Sequence, residues 1–195
     1  MEIYESYMKF SFDDKDLFRI EKDDVILQTQ GVKTCEFIVL ISKNVALIEA
    51  KSSTPNPKNN EAFENFMTDI KQKFSDSLRL FNEIRNKEHG EDAYDRLPEH
   101  LQSVVINPNQ YVIYLIVHGH KLEWIPGLQN SFYEAMRDVV NQWNMKDSSV
   151  KALNEEMAKE LNLIVGYVPV SEIGKLKDTR NHPDEEKVKN WFEQN

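Results

Sequence analysis

The sequence predicts an α/β fold in which one mixed β-sheet is flanked by helices. Two apolar runs separated by a short polar break, within Thr34–Ser53, have the pattern of a β-hairpin with largely buried strands. A long amphipathic stretch then predicts a helix, and the apolar run Tyr111–Val117 predicts a buried strand after it. A hairpin joined by a helical crossover to another strand produces a sheet with antiparallel and parallel pairs.

The composition is that of one domain with a sizeable core, and we assign residues 1–195 to a single domain. No apolar run approaches the roughly 18 residues of a membrane helix. The first ten residues lack the basic and then apolar regions of a secretory signal. The one cysteine, Cys35, excludes an internal disulfide, and together these features predict a protein of the reducing cytoplasm.

The net charge of −9 argues against a protein that binds nucleic acid broadly and without specificity. A nuclease remains open, because metal ions and a local basic patch can neutralise phosphate. The acidic balance favours a protein partner or a structured nucleic acid over a long DNA duplex.

The residues before the hairpin predict an extended start, a short helix and a first strand. The helix is expected over Asp13–Glu21, with Asp13 or Asp14 as its N-cap. The strand is expected over Val25–Gln30, where Gly31 ends it.

Three charged residues interrupt the predicted hairpin. Successive strand side chains alternate between faces, so Glu49 and Lys51 share one face. A two-residue turn at Ser42-Lys43 places Glu36 opposite Glu49, whereas a turn one residue later places Glu36 opposite Lys51. Either register leaves all three charges on one face, within reach across the strands.

Two carboxylates that face each other repel, and a bound divalent cation removes that repulsion. Mg²⁺ or Mn²⁺ would take the carboxylates of Glu36 and Glu49 and the backbone carbonyl of Ala50, and Lys51 would orient a water beside the metal. The alternative is an ion-paired edge hairpin whose charges are solvated. The spacing of the charges leaves both interpretations open.

The order Glu36, a gap of twelve residues, and then Glu49-Ala50-Lys51 resembles the PD-(D/E)xK nuclease superfamily. The first acid of that family is usually Asp, often preceded by Pro, whereas this chain has Glu36 preceded by Cys35. The stretch Glu49–Ser53 with Pro55 also resembles a group of bacterial proteins that share this signature.

The resemblance implies a restriction-endonuclease-like αβββαβ core and hydrolysis of phosphodiester bonds with Mg²⁺ or Mn²⁺. It implies that Glu36, Glu49 and Lys51 are catalytic, that Glu36, Glu49 and the Ala50 carbonyl bind the metal, and that a preceding helix supplies an extra acid. Glu21 is the candidate for that acid and Glu5 a weaker one, although Glu21 also fits a solvated helix end.

DNA is the expected substrate in preference to RNA. One acidic pair per chain implies that a homodimer cuts two strands. The alternative function is a catalytically silent nuclease-like fold that acts as a protein-interaction or regulatory module. The acidic charge and the lack of a clear basic groove motivate that alternative.

The long amphipathic helix is expected to begin at an Asn60 cap and to end near Lys87, with its apolar stripe in the core. The resemblance implies that this helix can direct a polar residue toward the site. Gln72 and Lys73 are the candidates, and an ordinary solvated helix face is the alternative.

The pair His118 and His120 follows the predicted strand Tyr111–Val117. Such a pair can bind zinc, and a histidine can act as a general base. No other Cys or His cluster completes a zinc site, so a polar loop at the end of the strand is the default interpretation.

The remaining elements follow from hydrophobic periodicity and turn signals. We expect a short helix near Pro98–Val104, a loop over Trp124–Gly127, helices over Leu128–Trp143 and Ser148–Leu161, a strand over Leu163–Val170 and a short helix over Asp184–Phe192.

Overall fold

The computed structural model of this chain describes residues 1–24, 31–180 and 182–195. The strands are β1 (Glu2–Glu5), β2 (Met8–Ser11), β3 (Leu17–Phe18), β4 (Phe37–Ile41), β5 (Asn44–Lys51), β6 (Tyr111–Val117), β7 (Val150–Asn154) and β8 (Gly166–Tyr167). The α-helices are α1 (Asn60–Arg85), α2 (Glu91–Asp95), α3 (Glu99–Ser103), α4 (Ile125–Gln142), α5 (Glu155–Glu160) and α6 (Glu185–Gln194).

The larger sheet has five strands in the order β3-β4-β5-β6-β7. β3, β4 and β5 pair antiparallel, whereas β6 pairs parallel with β5 and β7 pairs parallel with β6. Parallel neighbours require long connections, and the segments that contain α1 and α4 supply them. The sheet is therefore mixed, as the sequence predicts.

Helices α1 and α4 cover one face of this sheet. Phe74 of α1 and Phe132 of α4 are fully buried, and their ring centroids lie 5.8 Å apart. The same core cluster contains Val45 and Leu47 of β5, which alternate with residues of the opposite face. The apolar runs of the strands are nearly continuous because both faces of the sheet are covered.

A second sheet covers the opposite face of the larger sheet, where the sequence predicts helices. Its order is β1-β2-β8, and all of its pairs are antiparallel. Met8 and Phe10 of β2 pack there against Phe37 and Ile48 of the larger sheet. The prediction of a sheet flanked by helices is thus correct for one face, while the other carries mainly this antiparallel layer.

The β1–β2 hairpin turns at Ser6 and Tyr7, whose φ angles are 50° and 64°. Two positive φ angles are the geometry of a tight hairpin turn that normally selects Asn-Gly. Contacts hold the turn here, because the Ser6 hydroxyl donates to the Ala50 carbonyl oxygen (3.2 Å) and the Tyr7 carbonyl accepts from Val168 N–H (2.9 Å). The turn therefore lies against the end of β5.

Several predicted elements are confirmed within a few residues. The hairpin β4–β5, the helix α1, the helix α3 and the strand β6 lie where the periodicity places them. The cap of α1 is Asn59 and not Asn60, because the Asn59 side chain accepts a hydrogen bond from Ala62 N–H. The helix α6 begins after an Asp184 cap, close to its predicted start.

Other predictions are wrong. The expected helix over Asp13–Glu21 is a turn, the strand β3 and a short 3-10 helix, because Leu17 and Phe18 pair with β4. The expected helix over Ser148–Leu161 is the strand β7 followed by α5. The expected loop over Trp124–Gly127 lies largely inside α4, and the strand over Leu163–Val170 shortens to β8. The predicted strand Val25–Gln30 lies outside the described residues.

None of the helices in the described part of the chain has the length and apolar character needed to cross a bilayer.

A buried serine connects α1 to the start of the hairpin. The Ser77 hydroxyl is fully buried, accepts a hydrogen bond from Cys35 N–H (2.9 Å) and donates to the Lys73 carbonyl (2.7 Å). This bridge fixes the backbone immediately before Glu36 to the helix that carries Lys73.

Replacing Ser77 with Ala should lower the free energy of unfolding by about 1–3 kcal/mol, because a buried N–H group loses its acceptor. Denaturant unfolding of the purified variant measures this change. Ser75→Ala, at a half-buried position of the same helix, is the matched control. Equal stability of the two variants would show that the bridge does not hold the hairpin to α1.

Candidate active site

Glu49 is the deepest charge in the described part of the chain. It lies on β5, between β4 and β6, and its side chain is 0% exposed. The alternation of β5 places Glu49 and Lys51 on the face that packs against α1, because Val45 and Leu47 of the same parity belong to that core cluster. A carboxylate in such a place is costly unless it is paired.

Two ammonium groups reach Glu49. Its Oε1 lies 2.5 Å from Lys51 Nζ and 2.7 Å from Lys73 Nζ. Its Oε2 is buried and has no hydrogen-bond partner within residues 1–24, 31–180 and 182–195. Within these ranges the charge of Glu49 is thus balanced through one oxygen.

Glu36 lies immediately before β4, the strand that pairs with β5. Ile41 pairs with Asn44 across the hairpin, which is the register expected for a turn at Ser42-Lys43. The Glu36 N–H donates to the Ile48 carbonyl (3.1 Å), and Glu36 Oε1 lies 3.9 Å from Lys73 Nζ. The structure therefore brings Glu36, Glu49 and Lys51 together, as the sequence predicts.

Glu36 shares a proton with Glu21. Burial, a hydrogen bond with Glu21 and the charge of Glu49 raise the pKa of Glu36 to about 10. Burial alone would raise the pKa of Glu21, but the hydrogen bond from Glu36 and the nearby Lys22 and Arg19 hold it below its ordinary value. Glu36 is therefore the proton donor of this pair and Glu21 the acceptor.

The β1–β2 turn adds a fourth acid. Burial and the charge of Glu21 raise the pKa of Glu5, whose Oε1 lies 3.2 Å from the Ser6 hydroxyl oxygen. The same hydroxyl contacts the carbonyl oxygen of Ala50, so this proposed ligand already has a partner. Glu5, the weaker sequence candidate, thus lies close enough to Glu21 to be affected by its charge.

Of the two candidates on α1, the structure directs Lys73 to the site. Gln72 donates instead to the Gly31 carbonyl (3.3 Å) on the surface. The sequence identifies the helix correctly but cannot choose between adjacent residues, because each would need a known rotation of α1. Lys73 is only 18% exposed, and the charges of Glu49 and Glu36 outweigh burial and raise its pKa.

The two histidines make separate contacts. His118 is buried, and its Nε2 bonds the Val168 carbonyl (2.7 Å). His120 is half-buried and packs edge-to-face on Trp124, with ring centroids 5.6 Å apart. The structure gives no support to the pair as a joint zinc site, since each ring faces its own set of neighbours.

The acid cluster fits a hard divalent cation in its donor chemistry. Carboxylate oxygens are the preferred ligands of such ions, and Glu49 Oε2 is a buried acceptor without a partner. Among the described residues, however, no group of three or more His, Cys, Asp or Glu side chains is arranged to hold a metal ion as it stands. Cation binding at Glu36 and Glu49 therefore requires release of the Glu36 proton and movement of Lys73.

Comparisons with protein-family models, with curated proteins and with solved structures found no match to this chain.

Glu36→Gln should flatten the pH dependence of stability in buffer containing EDTA. Unfolded Glu36 loses its proton near pH 4.5, whereas the folded residue keeps it to about pH 10. The folded state binds more protons within this interval, so the wild-type free energy of unfolding includes a contribution that falls as pH rises. Glutamine does not titrate, and the variant should gain stability over wild type between pH 6 and pH 9.

Denaturant unfolding at several pH values measures this difference. Glu61→Gln, an exposed change in the first turn of α1, is the control and should leave the slope unaltered. A wild-type slope retained in Glu36→Gln would mean that Glu36 is ionised in the folded protein.

Proposed function

We propose that this chain is a metal-dependent nuclease that hydrolyses phosphodiester bonds of DNA. The observation that carries the proposal is the convergence of Glu36, Glu49 and Lys51, with a Glu49 carboxylate oxygen that is buried and has no hydrogen-bond partner in the described part of the chain. A fold gains little from a fully buried carboxylate, because buried ion pairs are often replaced by apolar residues without loss of stability. A chemical role accounts for its presence.

The order of elements supports a restriction-endonuclease-like core. Three antiparallel strands, β3, β4 and β5, precede the α1 crossover, and β6 then pairs parallel with β5. This is the βββαβ part of the arrangement implied by the resemblance. The short 3-10 helix at Ile20–Lys22 carries Glu21, the extra acid, in place of the expected longer helix.

Each residue of the site has a separate role in the proposed reaction. Glu36 and Glu49, with the Ala50 carbonyl, would hold Mg²⁺ or Mn²⁺, which supplies Lewis-acid activation of the scissile phosphate and neutralises developing charge. Lys51 is 27% exposed, so its ammonium can reach both Glu49 and a substrate phosphate or attacking water. As a metal ligand Glu36 would have to release the proton it shares with Glu21, and Glu21 would be the nearby group able to accept it.

The ammonium group of Lys73 occupies a place beside Glu49 where it would compete with a metal ion for the carboxylate. Its Nζ contacts Glu49 and lies 3.9 Å from Glu36, so it balances the charge of Glu49 in the absence of metal. We propose that Lys73 moves toward solvent or substrate when the metal binds.

DNA as the substrate, a cytoplasmic location and a homodimer that cuts two strands complete the proposal. They rest on the resemblance and on composition.

A second function is favoured by the Lys73 contact and by the charge of −9. If Lys73 stays on Glu49, the site is closed to metal, and the nuclease-like fold acts as an interaction module for a basic protein partner. Such a chain binds its partner tightly without turnover.

The wild-type chain should cut DNA in Mg²⁺ or Mn²⁺, and Glu49→Gln or Lys51→Met should lower the rate at least about a hundredfold, because each removes a group that acts on the reacting phosphate. The measurement is incubation with supercoiled, linear duplex and single-stranded DNA and with RNA, alongside calorimetric titration of Mn²⁺. Glu49→Gln should lose Mn²⁺ binding.

Glu61→Gln, which removes an exposed carboxylate, is the matched control and should cut like wild type. Unchanged cutting by both site variants would assign the activity to a contaminant or to another site. Absence of both metal binding and cleavage in the wild type would favour the interaction module.

Lys73→Met should destabilise the metal-free chain by up to roughly 3 kcal/mol, since a buried carboxylate loses one of its two cations while Lys51 remains. Mn²⁺ should then raise the thermal midpoint of the variant more than that of wild type, because the ion no longer competes with an ammonium. Thermal unfolding in EDTA and in Mn²⁺ measures both effects.

The control is Lys71→Met, a change on the same helix as Lys73 that breaks an exposed ion pair with Asp138 of α4. It should change stability by less than about 1 kcal/mol. Equal shifts by Mn²⁺ in all three proteins would place the ion away from Glu36 and Glu49.

A further inference from the structure

A cavity of about 870 Å³ lies beyond the carboxyl ends of β5 and β6. Ser52, the residue after Lys51, forms part of its wall, so the cavity begins where the candidate active site ends. Its volume is within the range of about 300–1,000 Å³ that is usual for ligand pockets. Ligands of open α/β sheets commonly bind at this end of parallel strands.

The opposite walls are largely apolar. Phe63 comes from the first turn of α1, Leu128 from α4, and Val170 and Ile173 from the segment after β8. Trp124, immediately before α4, is 50% exposed. A large ring that is half exposed and lines a cavity is suited to stack on another flat ring.

Two neighbouring side chains pack against the Trp124 ring and hold its position. The His120 ring packs edge-to-face with it, with ring centroids 5.6 Å apart, and the Lys121 ammonium lies over the Trp124 ring, 5.0 Å from its centroid. His120 Nε2 is buried and has no hydrogen-bond partner among the described residues. The cavity wall thus carries the Trp124 and His120 rings and the Glu123 carboxylate, with the Lys121 ammonium beside them.

Polar groups gather at the rim next to Lys51. The hydroxyl residues Ser52, Ser53 and Thr54 line this side of the cavity, and Lys58 follows them. Hydroxyl and ammonium groups are suitable donors to a phosphate. The cavity wall therefore contains both hydroxyl and ammonium groups suited to a phosphate and aromatic rings suited to a base.

We propose that the cavity binds one unpaired nucleotide of the nucleic acid, with its base on Trp124 and its phosphate at Ser52–Thr54 beside Lys51. This inference rests on the proposed function and specifies its substrate as single-stranded or locally unpaired nucleic acid. A base inside an intact duplex has both faces stacked and cannot contact Trp124 unless it is extruded. The net charge of −9 also disfavours extended tracking along a duplex.

The test is fluorescence anisotropy with a fluorescein-labelled single-stranded DNA oligonucleotide and with the same oligonucleotide annealed to its complement, in Ca²⁺ buffer. Wild type should bind the single strand more tightly than the duplex. Trp124→Ala should weaken single-strand binding at least about fivefold and leave duplex binding unchanged, since one stacked base is lost. Trp124→Phe should retain most of the affinity.

Leu122→Ala is the matched control, because Leu122 is 62% exposed in the same segment but is not part of the cavity wall. Ser131→Phe provides a second variant that fills the cavity and leaves Trp124 in place, and it should also weaken single-strand binding. Circular dichroism of each variant checks folding. Single-strand affinities of Trp124→Ala and Ser131→Phe equal to wild type, or equal binding of the two DNA forms, would overturn the inference.

Cleavage assays separate this inference from the proposed function. Equal cutting of single and double strands by wild type and Trp124→Ala would keep the nuclease and reject the cavity as its substrate site. Trp124-dependent binding without cleavage in any divalent metal would reject the nuclease and support the cavity as a nucleotide site.

Discussion

The buried carboxylate of Glu49 is the constraint around which the centre of the molecule is arranged. Removing a carboxylate from water is expensive, and its attraction to a cation offsets that cost only with close contacts. Lys51 approaches from the same strand and Lys73 from α1, and both reach one oxygen. The position of α1 against the sheet is therefore tied to charge as well as to apolar packing.

The acids of the cluster are held in different states by their surroundings. Glu49 faces two ammonium groups, whereas Glu36 is paired with Glu21 through a shared proton. Two adjacent carboxylates can remain buried together because one of them is neutral. The shared proton, Lys51 and Lys73 thus offset the negative charge of the acids at the place proposed for a divalent cation.

Sequence patterns predicted the hairpin and its charged face because both depend on local, two-residue periodicity. The turn at Ser42-Lys43 sets the predicted register, and this register brings together Glu36, Glu49 and Lys51. The features that the sequence did not predict depend on contacts between segments that are distant in the chain. Val150–Asn154 forms β7 because β6 offers it a parallel partner, although the same stretch fits a helical stripe. The choice of Lys73 over Gln72, both of which the sequence offers, and the existence of the cavity depend on how distant segments pack, which no short pattern records.

The turn of the β1–β2 hairpin contacts Ala50, and its two residues with positive φ are Ser6 and Tyr7, neither of which is glycine or asparagine. The sheet that contains this hairpin has its third strand only when β8 pairs with β2. A hairpin alone is marginally stable in water. The strand β8 follows every strand of the larger sheet in the chain, so the β1-β2-β8 sheet is completed late in synthesis. Glu5 and Ser6, which its turn places beside Glu21 and Ala50, therefore take their final positions after Glu36, Glu49 and Lys73 are already in the chain.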